Sequence, residues 1–406
     1  MELFSALLLL SFILLGLFFH KSKIAEYGLL ILLFILFAFE KSIGDYEGYL
    51  SMYDEIGKGV GRANEYEILY VLACSTAAKI GLSFDQMRYI FCVAEVLMIH
   101  GVIRKYTKNR ALVLSLFMIY PALLDAELFR FLFGMSLVIY GLPYLLQGNQ
   151  KGYLTYFVFV VLAALFHTSC WAFLIYFLLL IKKRRTLVII VTVSLLLGTT
   201  LSAIDSVFKV MEYLPIREHV IEKYETDSYS NMTGILFDIV KQILIFSLGF
   251  LAYYCVNSRQ LYYDCIVLRK KRKNRETRET REKALSLNKR NYVFVLGKNR
   301  KTRKTRKNAL ALNNRIIDLN IISCLMLIPM YLSTSSQRLV HVIVFYNFIA
   351  IANSSLTKKG RYSFIYAFLI AVILLVFLLF IEGTGTQYAF ISHFTEGFII
   401  NLLDTI

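Results

Sequence analysis

The sequence predicts an all-α, polytopic integral membrane protein of about 10–12 transmembrane helices, and two observations carry this prediction. Of the 406 residues, 57% are hydrophobic and 18% are charged, whereas soluble domains are about 45–50% apolar and about 25% charged. The chain also contains many apolar stretches close to the roughly 17–25 residues that a helix needs to cross the hydrocarbon core. Together these observations exclude an ordinary soluble protein.

Ten apolar stretches are predicted to cross the membrane as single helices. An eleventh stretch, residues 152–181, is too long for one straight span, and we expect a hairpin of two short helices that turns near His167. The first stretch has no basic leader and is soon followed by another, which favours a span over a secretory signal. The ten single stretches are residues 5–19, 24–40, 84–103, 111–124, 128–146, 186–203, 234–256, 316–332, 339–356 and 362–381.

The formal net charge of +17 belongs almost entirely to one segment. Residues 257–315 hold 20 Lys and Arg against four Asp and Glu, while the other 347 positions hold 25 against 24. The segment contains two copies of a 14-residue sequence, which begin at Arg275 and Arg300 and share nine identical positions. Two copies are too few for a solenoid. We therefore predict a lengthened cytoplasmic loop that contacts anionic lipid and no nucleic-acid partner, a nucleic-acid arm being the alternative.

The positions of Lys and Arg predict which side each connection faces, because short cytoplasmic loops are enriched in them. Basic residues cluster at 21–23, 104–110, 151, 182–185, 257–315 and 358–361, whereas connections 40–67 and 204–232 and the tail 382–406 are acidic. The two sets alternate only if the hairpin starts and ends inside and residues 66–82 form a helix at the outer face. Both termini are then outside.

Three parts of the chain follow from this topology. Residues 1–256 form an N-terminal transmembrane bundle with outer loops 41–83 and 204–232. Residues 257–315 form the basic cytoplasmic loop, and residues 316–406 form a C-terminal bundle with an outer tail.

Ionisable residues in or beside the spans are the candidates for function, because charge is costly to place in a membrane. In the predicted topology these residues share the outer side, which predicts a single polar site there. They are Asp45, Tyr46 and Tyr49 after the second span, Glu67 at the surface helix, Arg130 just inside a span, His167 at the hairpin turn, and Gln337, Arg338 and His341 at a late span.

These residue types suit a sugar carried on a lipid diphosphate. Arginine presents a fork of donors that matches phosphate oxygens, so Arg130 and Arg338 are predicted to bind the diphosphate and to stabilise the charge that develops on it. Asp45 is the predicted general base for an attacking sugar hydroxyl, with Glu67 and His167 orienting the substrate. The same predicted substrate site includes Tyr46 and Tyr49 as stacking surfaces for sugar rings, and Gln337 and His341 as polar contacts.

Each assignment has an alternative that the sequence leaves open. Arg130 and Arg338 could instead form structural pairs with Asp125 or Glu127, and His167 could simply satisfy the hairpin turn. The tyrosines also suit an interfacial aromatic belt. No cofactor is predicted, although Asp45 and Glu47 form a spacing that could bind a divalent cation.

The arrangement resembles the EpsG family of bacterial exopolysaccharide proteins, which is related to the Wzy-type polysaccharide polymerases. The resemblance covers residues 24–181 and resumes near 316–356. It rests on Asp45, Tyr46 and Tyr49; on Glu67 and Tyr70; on the run from Lys79 through Gly81 to Phe84; on Ile103 to Tyr106; on Arg130; on Leu162 to His167 with Ser169; and on Arg338.

The resemblance implies a GT-C-like membrane glycosyltransferase in the bacterial cytoplasmic (inner) membrane, with its active site facing outside or the periplasm. Such an enzyme joins undecaprenyl-diphosphate-linked oligosaccharide repeat units into exopolysaccharide, capsule or O-antigen. It also implies the bilayer and a chain-length regulator protein as partners. A transporter or flippase of lipid-linked sugars is the alternative, and an assembly protein of the same export system is a third hypothesis.

Overall fold

Long apolar runs favour helices in a membrane, because a helix satisfies its backbone hydrogen bonds within the segment. The computed structural model describes residues 2–39, 41, 45–59, 66–202, 239–254, 300–328, 338–354 and 365–374. Each regular element in these ranges is helical, so the predicted all-α fold is confirmed.

The described chain consists mainly of helices, and those up to residue 202 follow one another with short connections. The helices are α1 (Glu2–Phe18), α2 (Lys23–Phe39), α3 (Asp45–Gly57), α4 (Ile68–Lys79), α5 (Phe84–Tyr106), α6 (Arg110–Phe117), α7 (Phe129–Leu145), α8 (Gln150–Ala164), a 3₁₀ helix (Thr168–Leu180), α9 (Arg184–Ser202), α10 (Ile239–Tyr254), α11 (Arg300–Ser323), α12 (His341–Ser354) and α13 (Ile365–Leu374).

The predicted hairpin is present as α8 and the 3₁₀ helix, which are separated at residues 165–167. A 3₁₀ helix rises about 2.0 Å per residue, so its 13 residues extend about 26 Å, further than an α-helix of that length. The hairpin packs closely on α7, where a Cβ at Gly134 would lie 2.7 Å from the Cys170 sulfur. This packing places the His167 turn beside the start of α7.

Among the described helices, α5 is the one that is long and apolar enough to cross a membrane by length and composition alone. Eight further apolar helices among the described residues are only 10–17 residues long, so the predicted number of spans stays a prediction. One predicted span, residues 111–124, is divided because α6 passes into a π-helical turn (Met118–Ala122) that contains Pro121. Exposed Phe18, Ile31 and Leu97 nevertheless give the bundle an apolar exterior that lipid would cover.

The ends of the helices fall into two groups. The basic end contains the starts of α2, α6 and α9, where Glu26 contacts His100 and Arg110 at 2.7 and 2.9 Å and Arg184 contacts Asp318 at 2.6 Å. The α3–α4 end contains α3, α4, the starts of α5, α7 and α12, and the hairpin turn. The predicted sidedness groups the described residues in the same way. The basic connections 21–23, 104–110, 151 and 182–185 lie at the first end, and helices α3 and α4, which follow the second span, lie at the other end.

Several predicted features lie outside the described residues or run across them differently. The outer loop 204–232, the tail 382–406, residues 257–299 of the basic loop and Gln337 lie outside the described ranges. The second copy of the repeat, from Arg300, is helical, since α11 continues through residue 315 toward Ser323.

Candidate functional site

An aromatic cluster separates the α3–α4 end from the main core. Tyrosines at positions 46, 49 and 53 recur at the spacing of three and four that places them on one side of a helix. Tyr49 and Tyr53 pack with Tyr70 of α4, Phe84 of α5 and Phe129 of α7. The cluster therefore fixes the two short helices onto the starts of two long ones.

Glu67 and Arg130 form the central ion pair of this end. Arg130 Nη1 lies 2.6 Å from Glu67 Oε2, and each side chain is 16% exposed. The other carboxylate oxygen of Glu67 accepts hydrogen bonds from the Thr168 amide at 3.0 Å and the Thr168 hydroxyl at 3.1 Å. One carboxylate thus joins the start of α4, the start of α7 and the hairpin turn.

Two tyrosine rings hold the guanidinium of Arg130. Its central carbon lies 5.4 Å from the Tyr49 ring centre and 5.1 Å from the Tyr70 ring centre, within the range of cation–π contacts. Its Nε has no hydrogen-bond partner among the described residues. The ion pair with Glu67 and the two rings therefore hold Arg130 in place.

The other charged groups of the site act electrostatically on Tyr49. Burial raises the pKa of the Tyr49 hydroxyl; Arg130 and Arg338 act to lower it, and Asp45 acts to raise it further. Both arginines and Asp45 are thus close enough to act on one hydroxyl group. Asp45 itself is exposed in the first turn of α3.

The environment of Glu67 favours its charged form. Burial works to raise the pKa of this carboxyl, but Arg130, His167 and the Thr168 amide outweigh burial and hold the pKa below its usual value. A carboxyl with a lowered pKa is a poor proton donor near neutral pH, so the arrangement suits Glu67 to orienting rather than to acid catalysis.

His167 stands in the turn directly before Thr168. Its Nδ1 is 2.7 Å from the Ser169 hydroxyl, and its ring meets the Phe131 ring edge-to-face at 5.5 Å between centres. Because His167 adjoins Thr168, which donates to Glu67, the structure brings the predicted Glu67, Arg130 and His167 together.

The two predicted stacking tyrosines differ in their surroundings. Tyr49 is 6% exposed and its ring is covered by Arg130, which places it to hold the arginine rather than to stack against a sugar. The Tyr46 hydroxyl donates to Asp85 at 3.0 Å, and Lys41 binds the same carboxylate at 2.7 Å. The Asp85 carboxylate of α5 thus binds Tyr46 of α3 and also Lys41, which precedes α3. Neither Asp85 nor Lys41 was among the predicted site residues.

His341 belongs to a different set of contacts from Arg130. It is 2% exposed and its Nδ1 lies 2.7 Å from Asp125 Oδ1, while its Nε2 lies 3.2 Å from the Tyr120 hydroxyl. Asp125 therefore pairs with His341 and Arg130 pairs with Glu67, so the alternative of an Arg130–Asp125 pair is wrong. Arg338 precedes His341 by one 3₁₀ turn.

No group of three or more His, Cys, Asp or Glu that could hold a metal ion occurs among the residues the structure describes. Glu47, Asp54, Glu55 and Lys58 line an open depression on the exposed side of α3. Neither Glu67 nor Arg130 lines it.

Residues 27–394 match the family model described as the EpsG family, a family of Wzy-type polysaccharide polymerases. No curated protein and no solved structure is similar enough to this chain to count as a match. The matched region contains α3, α4, the hairpin and α12, and with them the ion pair, the hairpin turn and both arginines of the site. Because the match covers nearly the whole sequence, the chain belongs to the EpsG family.

Proposed function

We propose that this chain is a membrane glycosyltransferase that polymerises lipid-linked oligosaccharide repeat units in exopolysaccharide biosynthesis. Membership of the EpsG family supports the biosynthetic role. The observation that carries the proposed site is the Glu67–Arg130 pair, because it holds an arginine at the junction of three chain segments. The substrate proposed for this site is an undecaprenyl-diphosphate-linked oligosaccharide.

The two arginines would bind the diphosphate of the carrier lipid. A diphosphate carries several negative oxygens, and a guanidinium donates to two of them at once. Arg130 is held by Glu67, Tyr49 and Tyr70. It would therefore lose little conformational freedom on binding. Arg338 acts electrostatically on the same tyrosine, which supports both arginines facing one ligand.

The proposed reaction transfers the growing glycan to the next repeat unit. A hydroxyl oxygen of the acceptor sugar bonds to the anomeric carbon of the donor, and its proton passes to the Asp45 carboxylate. The bond from that carbon to the diphosphate oxygen breaks, and the diphosphate leaves with the electron pair. Arg130 and Arg338 stabilise the leaving group, since the negative charge develops there.

We further propose that the α3–α4 end faces the outside of the cytoplasmic membrane. The opposite end carries the starts of α2, α6 and α9 with their Lys and Arg residues, and such residues mark cytoplasmic connections. The lipid tail of the carrier would then remain in the bilayer beside the exposed apolar side chains, with its diphosphate at the arginines.

The test replaces Arg130, Arg338 and Asp45 singly by Ala, Ala and Asn in a strain that depends on this chain for polymer. We expect lipid-linked single repeat units in place of long polymer, at normal protein levels for Arg338→Ala and Asp45→Asn; Arg130→Ala should also lower the protein level, because it leaves the mostly buried Glu67 carboxylate without its ion-pair partner. Lys58→Ala is the matched control, because Lys58 is an exposed cation at the same end whose ionic contact, with Asp54 at 4.0 Å, is loose; it should leave chain length unchanged.

Normal long polymer from Arg338→Ala or Asp45→Asn at normal protein levels would contradict the proposal. Purified protein in vesicles gives a second measurement with a lipid-linked repeat unit. Movement of the labelled unit across the vesicle membrane without lengthening would instead support a flippase.

A further inference from the structure

A buried network of three polar groups lies next to the site and has no role in the proposed reaction. Asp125 and His341 are 0% and 2% exposed in their side chains and are joined at 2.7 Å. The Tyr120 hydroxyl lies 3.2 Å from Nε2 of His341. The Tyr120 ring meets the imidazole edge-to-face, with 5.3 Å between the ring centres. Polar groups this deeply buried are costly unless they are paired.

The network joins the two chain segments that carry the arginines. Asp125 stands five residues before Arg130. In the turn between them the Leu128 amide donates to the Asp125 carbonyl at 3.0 Å. His341 stands three residues after Arg338, at the start of α12. The hydrogen bond between Asp125 and His341 therefore spans the short gap between the Arg130 segment and the Arg338 segment.

Asp125 depends on His341 for its pairing. Its second oxygen, Oδ2, is buried and accepts no hydrogen bond from the described residues. With a carboxylate on Nδ1, the imidazole donates from that nitrogen, and Nε2 is left to meet the Tyr120 hydroxyl. Loss of the Nδ1 donor would leave a buried carboxylate without a partner, and the two segments would separate to let water reach it.

We propose that the Asp125–His341 hydrogen bond is a positioning device that holds Arg130 and Arg338 at the separation needed to bind one diphosphate. His341 thereby changes from a predicted substrate contact to a positioning residue. The inference rests on the proposed function, because it takes the lipid diphosphate as the ligand of the two arginines.

Two amide variants of His341 test the roles of the two imidazole nitrogens one at a time. The side-chain nitrogen of His341→Asn replaces Nδ1 and keeps a donor for Asp125, whereas that of His341→Gln replaces Nε2 and does not. His341→Ala removes both. His100→Ala is the matched control: His100 makes an equivalent 2.7 Å contact with Glu26, about 24 Å along α5 from Phe84.

Binding of undecaprenyl diphosphate to the purified protein provides a readout other than activity. Trp171 is the only tryptophan of the sequence, and it lies in the 3₁₀ helix one turn beyond Thr168, which contacts Glu67. Its fluorescence can therefore follow the titration. We expect His341→Ala and His341→Gln to raise the Kd, and the KM for a lipid-linked repeat unit, about tenfold or more. His341→Asn should stay within about threefold of the natural protein.

The outcomes distinguish this inference from the proposed function. If Arg130→Ala and Arg338→Ala bind undecaprenyl diphosphate as the natural protein does, the proposed function fails and the inference fails with it. If they lose binding while His341→Ala keeps it, or if the Asn and Gln variants behave alike, the positioning role alone is overturned. His100→Ala should lower the melting temperature without changing the Kd; a Kd change as large as that of His341→Ala would also overturn the positioning role. Should His341→Ala fail to accumulate, the comparison of Asn with Gln decides.

Discussion

The side chain of Glu67 connects three chain segments of the site through its hydrogen bonds and its ion pair. It precedes α4 in the position where side chains often cap a helix, yet its side chain makes no capping hydrogen bond in the described structure. The hairpin supplies a partner for the helix instead, because the Leu69 amide donates to the Leu165 carbonyl at 3.0 Å. The carboxylate is thereby left for Arg130 and Thr168.

The stability that Glu67 contributes should depend on pH in a defined direction. Its folded pKa is lowered below the unfolded value of about 4.3. The contribution is therefore complete above about pH 4.3 and is lost as the pH falls through the folded pKa. We expect Glu67→Gln to cost about 3 kcal/mol at neutral pH, since it removes one partner of a mostly buried pair.

Thermal unfolding in detergent from pH 7.5 down to pH 3.5 measures this dependence. The difference in melting temperature between the natural protein and Glu67→Gln should be constant above about pH 5 and shrink below about pH 4.3. Gln can still accept the Thr168 hydrogen bonds, so Glu67→Ala should be less stable than Glu67→Gln throughout. A difference that grows as the pH falls would contradict the assigned charge state.

At the residue scale, the sequence revealed which residues are unusual more readily than what they contact. Charge near a span singled out Glu67, Arg130 and His167, because such charge is costly wherever it lies. The Asp125–His341 contact joins residues 216 positions apart, and nothing in one sequence indicates that pairing. Burial of Tyr49 was also missed, since an exposed interfacial tyrosine and a buried one look alike in a helical pattern.

At the scale of elements, the run from Lys79 to Phe84 is a helix stop followed by a helix start. Gly81 has φ +79°, and it and Leu82 donate their amides to carbonyls of the last turn of α4 at 3.1 and 3.0 Å. Ser83 then begins α5 with a reciprocal capping box to Gln86. Part of the family resemblance thus has a local conformational reason, which turns α4 back onto α5.

The same substitution at two glycines should have opposite effects on stability. Gly81→Ala should cost about 1–2 kcal/mol, because a residue with a Cβ disfavours the left-handed region. Gly48→Ala, in the exposed helical part of α3, should stabilise by up to about 1 kcal/mol through helix propensity. An added Cβ would meet no described atom within 4 Å at either position, so packing does not confuse the comparison.

Melting temperatures of the two variants provide the measurement. Gly81→Asn should lose less than Gly81→Ala, because asparagine enters the left-handed region more readily. Equal effects of Ala at positions 48 and 81 would show that the turn does not require the positive φ angle.

The length of an apolar stretch predicted where a helix lies, but it did not predict where a helix is interrupted. The hairpin was predictable because thirty apolar residues exceed one span. The division of the 111–124 span depends on how Tyr120, with φ −158° and ψ 127°, and Pro121 fit between α12 and the turn to α7. That fit is a tertiary effect, and periodicity alone does not report it.

At the scale of the whole molecule, contacts between helix ends sort the chain into two groups that the charge pattern also separates. Asn109 donates to the Ala352 carbonyl at 2.6 Å, and Arg184 contacts Asp318, so four helices meet at the basic end. Lys41 with Asp85 and Glu67 with Arg130 join the opposite end. The contacts at each end join residues that the charge pattern also assigns to that end, which is the arrangement expected if the two ends face different compartments.

The orientation of these ends can be measured with two single cysteines in a background from which the six native cysteines have been removed. Lys58 and Lys151 are both exposed, the first after α3 and the second in the first turn of α8. We expect Lys58→Cys to react with a membrane-impermeant maleimide in intact cells, because its end faces outside in the proposed orientation. Lys151→Cys should react only after the cells are permeabilised.

Both variants should react equally in detergent, which controls for intrinsic reactivity, and both should still support polymer, which controls for folding. Reaction of Lys151→Cys but not Lys58→Cys in intact cells would invert the orientation. The arginines would then face the cytoplasm. Repeat units would have to be joined before they crossed the membrane, and the proposed outer-face reaction would be wrong even if Arg130 and Arg338 proved essential.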